Sequence, residues 1–329
     1  MEESTAVTAE AAIAKKFINT AEEANAGTLI LFVDEQTAEA WTSSEVATRS
    51  GVEVLDATVA EAGVESIEQV FNMNINREEK MALDMHRWFT VKFSAEADLE
   101  QVAHKFAAIS GVKRVQFSTK LARPQVKVKP VEEKFFTRAS EEMPFNDPML
   151  EQQWHYDNQG HQSIYKGAKK GEDINAFAAW KHTAGNNQVI VAVVDEGVKY
   201  NHPDLADNMW VNEAEKNGLT GVDDDGNGYI DDIHGWNCVR GNGNVTADAH
   251  GTHVAGTISA VNNNEFAVCG IAGGTGNGDG VRLMSVQIFE GEDGCTSQQI
   301  AQGIRYAADN GAAIANKSWG YSPTSYYSD

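Results

Sequence analysis

Val189-Ile190-Val191-Ala192-Val193-Val194-Asp195-Glu196-Gly197 is an apolar, mostly β-branched run closed by two carboxylates and a glycine. A run apolar at successive rather than alternate positions is the pattern of a parallel strand buried on both faces. Open α/β sheets carry their functional crevice at the carboxyl ends of such strands. Asp195 is therefore a candidate to orient a histidine; an Asp that merely caps the next turn is the other reading.

Downstream, residues 281–289 read as a second buried strand. Residues 296–310 read as a helix with Ile300, Ile304 and Ala307 on one face, stopped by Gly311, and residues 312–318 read as the next strand. This alternation predicts an α/β, doubly wound parallel sheet. Between the first two strands lies Asp248-Ala249-His250-Gly251-Thr252-His253-Val254-Ala255-Gly256-Thr257, where a Gly/Asn-rich loop at 241–245 turns into an apolar helix. A ring at His250 is backed by the helix and open to the loop, as suits a general base. His250 and His253, three apart, also allow a metal pair.

Upstream, the spacing predicts a helix over 7–24 and then strand 28–33, helix 37–48, strands 67–72 and 87–93, helix 98–109 and strand 112–118. Leu99, Val102, Phe106 and Ile109 mark the last helix, and Gly111 ends it. The order βαββαβ is the ferredoxin-like α+β plan. His86 and His104 read as solvated surface histidines. The chain thus divides into a domain over 1–120, a linker over 121–146 and a second domain over 147–329. The linker carries Arg123, Pro124, Lys127, Lys129, Pro130, Lys134, Arg138 and Pro144; it suits either a cleavage segment or a plain tether.

A net charge of −22 argues against nucleic acid and anionic membranes, which need clustered Lys and Arg. No run approaches the about eighteen apolar residues of a membrane span. The N-terminus Met1-Glu2-Glu3-Ser4 has no apolar secretion signal. Cys238, Cys269 and Cys295 form neither a metal pattern nor a disulfide framework. Asp223, Asp225 and Asn227, with Gly at the sixth position, match the first half of a calcium loop, but His234 stands where a bidentate Glu is expected. An acidic, solvated turn is the alternative.

The Asp195-Glu196-Gly197 and His250-Gly251-Thr252-His253 stretches, in this order, resemble those of the subtilisin-like serine proteases. Asn146-Asp147-Pro148, Gln153-Trp154-His155, His202-Pro203-Asp204-Leu205, Gly270-Ile271-Ala272 and Asn316-Lys317-Ser318-Trp319-Gly320 agree with that family. The resemblance covers about 146–329, and residues 1–120 resemble the inhibitor-type subtilase propeptide. It implies a serine endopeptidase zymogen, secreted or at the cell surface, acting on protein or peptide substrates. His250 would be the base and Asp195 its orienter. Ser318, Trp319, Gly320 and Gly294 would bind substrate. A structural calcium ion would take side-chain oxygens of Asp147, Asp204 and Asn264 and carbonyls of Val261, Phe266 and Val268.

His253 is then expected to pack against the sheet rather than bind zinc, for which no third ligand is evident. Glu196 replaces the usual Ser or Thr. It is expected to face solvent; pointing inward, it would raise the basicity of the histidine or disturb the Asp. The family's Ala-Ala-Gly-Asn oxyanion segment and Gly-Thr-Ser-Met nucleophile segment are not found in these 329 residues. The expectation is that they lie beyond Asp329, in a missing part of the catalytic domain, and that this chain alone is inactive. The alternatives are a non-catalytic peptide-binding or protease-inhibiting protein and, more remotely, a metallohydrolase using His250 and His253.

Overall fold

A computed structural model describes residues 10–43, 52–121, 143–160, 162, 166–291 and 293–320. Most of the expected linker, the end of the expected 37–48 helix and the polar tail after Gly320 lie outside the described residues. The chain divides into two compact units. Of the described residues, the first takes those up to 121 and 294–305, and the second takes 143–293 and 306–320.

In the first unit the chain runs β1 (Ala24–Val33), α1 (Glu35–Ser43), α2 (Glu53–Glu61), β2 (Val64–Gln69), β3 (Trp88–Phe93), α3 (Leu99–Ala108) and β4 (Val112–Thr119). The sheet order is β2-β3-β1-β4, with every neighbouring pair antiparallel. This is the expected ferredoxin-like plan, except that two helices rather than one make the first crossover and a short helix, Arg77–Ala82, lies between β2 and β3. Leu29, Leu31 and Val33 alternate into the core to meet Val102, Ala103, Phe106 and Ala107 of α3. Asp98 caps α3 by accepting a hydrogen bond from Gln101 N.

The helix expected over 7–24 is instead helical over 10–14 and then turns. There Phe17 bridges to Val115, and Lys16 Nζ donates to the carbonyls of Ala107 and Ile109 at the end of α3. Tertiary pairing overrides helix propensity at this point. His86 also departs from expectation. Its side chain is 12% exposed, and Nε2 lies 2.9 Å from Glu35 Oε2. His104 is exposed, as expected, and lies against Phe17.

The second unit is built on β5 (Ile190–Glu196), β6 (Gly235–Asn237), α4 (Ala249–Ser259) and β7 (Arg282–Glu290); α5 (Ser297–Asp309) and β8 (Ile314–Asn316) follow in sequence. The main path of the sheet is β6-β7-β5-β8, with each pair parallel. Ala192, Val193 and Val194 are wholly buried, as the continuous apolar run requires. The strand order changes direction beside β5, so Asp195 stands at the carboxyl end of the strand next to the switch point. No helix among the described residues is long and apolar enough to cross a membrane.

Helix α4 reaches that point through its small residues. Gly251, Ala255 and Ser259, at four-residue steps, are its buried face. A Cβ on Gly251 would lie 2.2 Å from Glu196 O, whereas one on Gly256 would meet nothing within 4 Å. Gly251→Ala should therefore destabilise the second unit by about 1–3 kcal/mol, while Gly256→Ala should be neutral or stabilise it by up to about 1 kcal/mol. Chemical denaturation of the two variants checks this; equal effects would show that α4 does not press on β5.

Candidate active site

Two contacts fix α4 to the chain leaving β5, and a third caps the helix itself. Asp248 N donates to Gly197 O at 2.8 Å, Lys199 N donates to Thr252 Oγ1 at 2.9 Å, and Asp248 Oδ1 accepts from Ala249 N at 2.6 Å. The next residue is His250. Its Nδ1 lies 2.6 Å from Asp195 Oδ1, a carboxylate 1% exposed that also accepts Glu196 N at 2.7 Å. A carboxylate accepts only, so Nδ1 carries the proton and Nε2 is left as the acceptor. The ring is 27% exposed. Among the described residues no serine hydroxyl is hydrogen-bonded to it.

Two expectations are corrected here. Glu196 does not face solvent: it is 3% exposed. The pairing of β5 with β7 slips between Asp195 and Glu196, and Glu196 turns inward. One oxygen of each carboxylate and one ring nitrogen of His250 lie within 4.8 Å of one another. His253 is not packed against the sheet but exposed, because Gly251 and Ala255 take the sheet-facing positions. It lines a recess of about 310 Å³ with His155 and His202. Burial, then the charge of His253, holds the His155 ring below its ordinary pKa.

At the edge strand β8 the chain continues into the candidate substrate residues. Trp319 Nε1 donates to Val194 O at 2.8 Å, Ser318 Oγ donates to Asn316 Oδ1, and both Ser318 and Gly320 are exposed. Gly294 is buried and groups with the first unit.

Of the first candidate calcium set, Asp147 and Asp204 are 1% and 2% exposed. Asp147 Oδ2 accepts from Asn263 N and from the Cys269 thiol, while its Oδ1 is buried without a partner. Asp204 accepts from Asn264 Nδ2 and Val268 N, yet burial, together with the Asp147 charge, raises its pKa. Asn264 Oδ1 accepts from Phe266 N, so its amide nitrogen, not its oxygen, faces Asp204. Asn263, Glu265 and Ala267 take positive φ, and Val261 N donates to Asp204 O. A strained loop wrapped on two buried carboxylates, one with an unused oxygen, fits a hard cation.

The second set regroups. Glu215, Asp225 and Asp232 bring one oxygen each within 4.8 Å of one another. Asp223 instead accepts from Gly228 N, and Asn227 bonds Asp225 and Asp232. The carboxylate missing at the His234 position is thus matched by Glu215, from the short helix Glu213–Asn217 before the loop, and by Asp232 within it. The local loop pattern could not reveal Glu215; the adjacent Asp231-Asp232 pair was the available signal for the other. Burial pushes the Asp232 carboxyl up to about 6, and Tyr306 donates its hydroxyl to it at 2.7 Å. These oxygens also fit a hard cation. The three cysteines are buried and none is in a disulfide.

A family model, the subtilase family, matches residues 186–328. Subtilisin-like protease 1 of Plasmodium falciparum is 41% identical over 111 residues, covering 32% of this chain and 16% of that protein. The halolysin-like extracellular serine protease Nep of Natrialba magadii is 31% identical over 176 residues, covering 53% of this chain and 26% of its own length. The matches thus span about a sixth and a quarter of these relatives. Fervidolysin from Fervidobacterium pennivorans, a keratinolytic enzyme related to subtilisin, has a similar fold, with TM-score 0.52 and 20% identity over 94% of this chain and 38% of that one. A buried parallel strand ending in Asp195 and a histidine held to it by a glycine-faced helix lie within residues 186–328, the segment that matches the subtilase family of subtilisin-like serine proteases.

Proposed function

We propose that this chain carries the acid–base half of a serine endopeptidase. The observation that supports this most is the His250 Nδ1 to Asp195 Oδ1 bond of 2.6 Å, with the ring partly exposed. Nε2 would take the proton of a serine hydroxyl as its oxygen attacks the substrate carbonyl, and would return it to the leaving amine. Asp195 keeps the ring in the required tautomer and stabilises the imidazolium. The serine and the oxyanion-binding Asn would come from sequence other than these 329 residues. Ser318, Trp319 and Gly320 would pair with the backbone of an extended peptide at the edge of the sheet.

The first unit would act as an inhibitor-type propeptide, making the protein a zymogen, and the 121–146 segment would hold the processing bond. By analogy with its extracellular relative, the protein would work outside the cytoplasm. A structural calcium ion would be held by Asp147, Asp204 and the 261–268 loop, and a second by Glu215, Asp225, Asn227 and Asp232.

The 329-residue polypeptide is expected to stay unlabelled by a fluorophosphonate probe; labelling of any serine would overturn the assignment of the nucleophile elsewhere. In a polypeptide that also carries a subtilase nucleophile segment, casein hydrolysis is expected to fall on the order of 10⁶-fold in His250→Ala. Hydrolysis that survives the change would place the chemistry at another site.

Calcium should raise the melting temperature by mass action, and Asp147→Asn should remove part of the shift. A curve unchanged across millimolar calcium would count against both ion sites. In chelator, the Asp232 carboxyl titrates from an ordinary 3.8 to about 6 on folding. The folded state then binds the proton more tightly, so this contribution to stability is complete at low pH and is lost as pH rises through about 6. Asp232→Asn should flatten that part of the melting profile; an unaltered profile would remove Asp232 as its source.

A further inference from the structure

Successive residues of a strand leave on opposite faces, so Asp195 and Glu196 should part company. They do not, because β5 ends there: its register with β7 slips at this step, and Gly197 and Val198 turn the chain, their backbone bonded to Asp248 N and Ser285 Oγ. The two carboxylates are 1% and 3% exposed, and each brings an oxygen within 4.8 Å of a ring nitrogen of His250 and of the other. Asp195 spends Oδ1 on His250 Nδ1 and Glu196 N, while its Oδ2 is buried without a hydrogen bond. Two buried carboxylates thus converge on one ring.

We propose that Glu196 is a positioning residue of the acid–base pair, a second carboxylate that stabilises the protonated ring of His250. This rests on the reading of Asp195 and His250 as that pair. The ring becomes an imidazolium when it takes the nucleophile's proton. A second fixed negative charge held on a buried carboxylate then lowers the energy of the charged state without any reorganisation. A Ser or Thr at this position offers a hydroxyl dipole; Glu196 offers a full charge.

The other ionisable groups on the packed elements are Asp248 and His253 on α4, Glu290 and Arg282 on β7, the latter at the far end of the strand and bonded to the carbonyls of Asp207 and Gly278, Lys199 after β5 and Lys317 after β8. Asp248 caps α4, Glu290 is bound to Arg240, and His253 lines the recess with His155 and His202. Gln287, wholly buried beside this end of β5, is neutral and bonded to Thr246 and to Phe289 O. Glu196 is therefore the charge whose removal the ring should feel most after that of Asp195.

The test is an NMR titration of the His250 ring in the 329-residue chain, assigned with His250→Gln, in wild type, Glu196→Gln, Glu196→Asp and Asp195→Asn. The midpoint should fall by about one unit, a tenfold loss of proton affinity, in Glu196→Gln. It should recover most of that loss in Glu196→Asp, which keeps the charge; a side chain that only fills space would not give this pattern. Should Glu196→Gln not fold, Glu196→Ser replaces it and carries the same expected fall. A midpoint unmoved or raised without the Glu196 charge, while Asp195→Asn lowers it, would overturn the proposal and leave the pair intact. A midpoint unmoved by Asp195→Asn would sink the pair itself.

Discussion

The hydrogen bond from His250 Nδ1 to Asp195 is the constraint the second unit is shaped to meet. Its two ends come from elements 55 residues apart, and it forms only because a buried parallel strand stops at one place and a helix begins at another. The strand supplies rigidity: Val191 to Val194 are packed from both faces, so Asp195 has little freedom. The helix supplies approach, since Gly251 lets its backbone meet Glu196 O where a side chain would clash. Thr252 and Asp248 then tie the first turn to the chain leaving β5.

Buried negative charge is the second theme. Asp147, Asp195, Glu196, Asp204, Glu215 and Asp232 are all buried in a chain with net charge −22. An ionised carboxylate out of water is costly unless it is paired, hydrogen-bonded or neutralised. The protein uses different answers in different places. Glu215 accepts three backbone N–H groups of the acidic loop, Asp195 takes a histidine, and Asp204 and Asp232 retain raised pKa values. That leftover cost is where a cation or a catalytic proton would be most useful. Acidity that reads in the sequence as mere solubility is here built into the interior.

The sequence made the architecture largely legible, because the signals were strong and local. An unbroken run such as Val189 to Val194 has few other uses, and the period of Leu99, Val102, Phe106 and Ile109 names a helix outright. What escaped was non-local. Lys16 and Phe17 leave a helical pattern to cap α3 and to bridge Val115. Glu215 joins an acidic loop from outside it. His253 was misplaced because the buried face of α4 is defined by glycine and alanine, whose small size hides the stripe from a reading based on apolar bulk. Glu196 was misplaced because period-two alternation fails where a strand ends at a register slip.

The most direct measurement is the low-field proton spectrum of this chain with ¹⁵N-labelled histidine. The account predicts a slowly exchanging ring proton bonded to Nδ1 of His250 that disappears in Asp195→Ala while the other histidines are unchanged. A His250 ring that carries its proton on Nε2, or whose Nδ1 proton persists without Asp195, would contradict it.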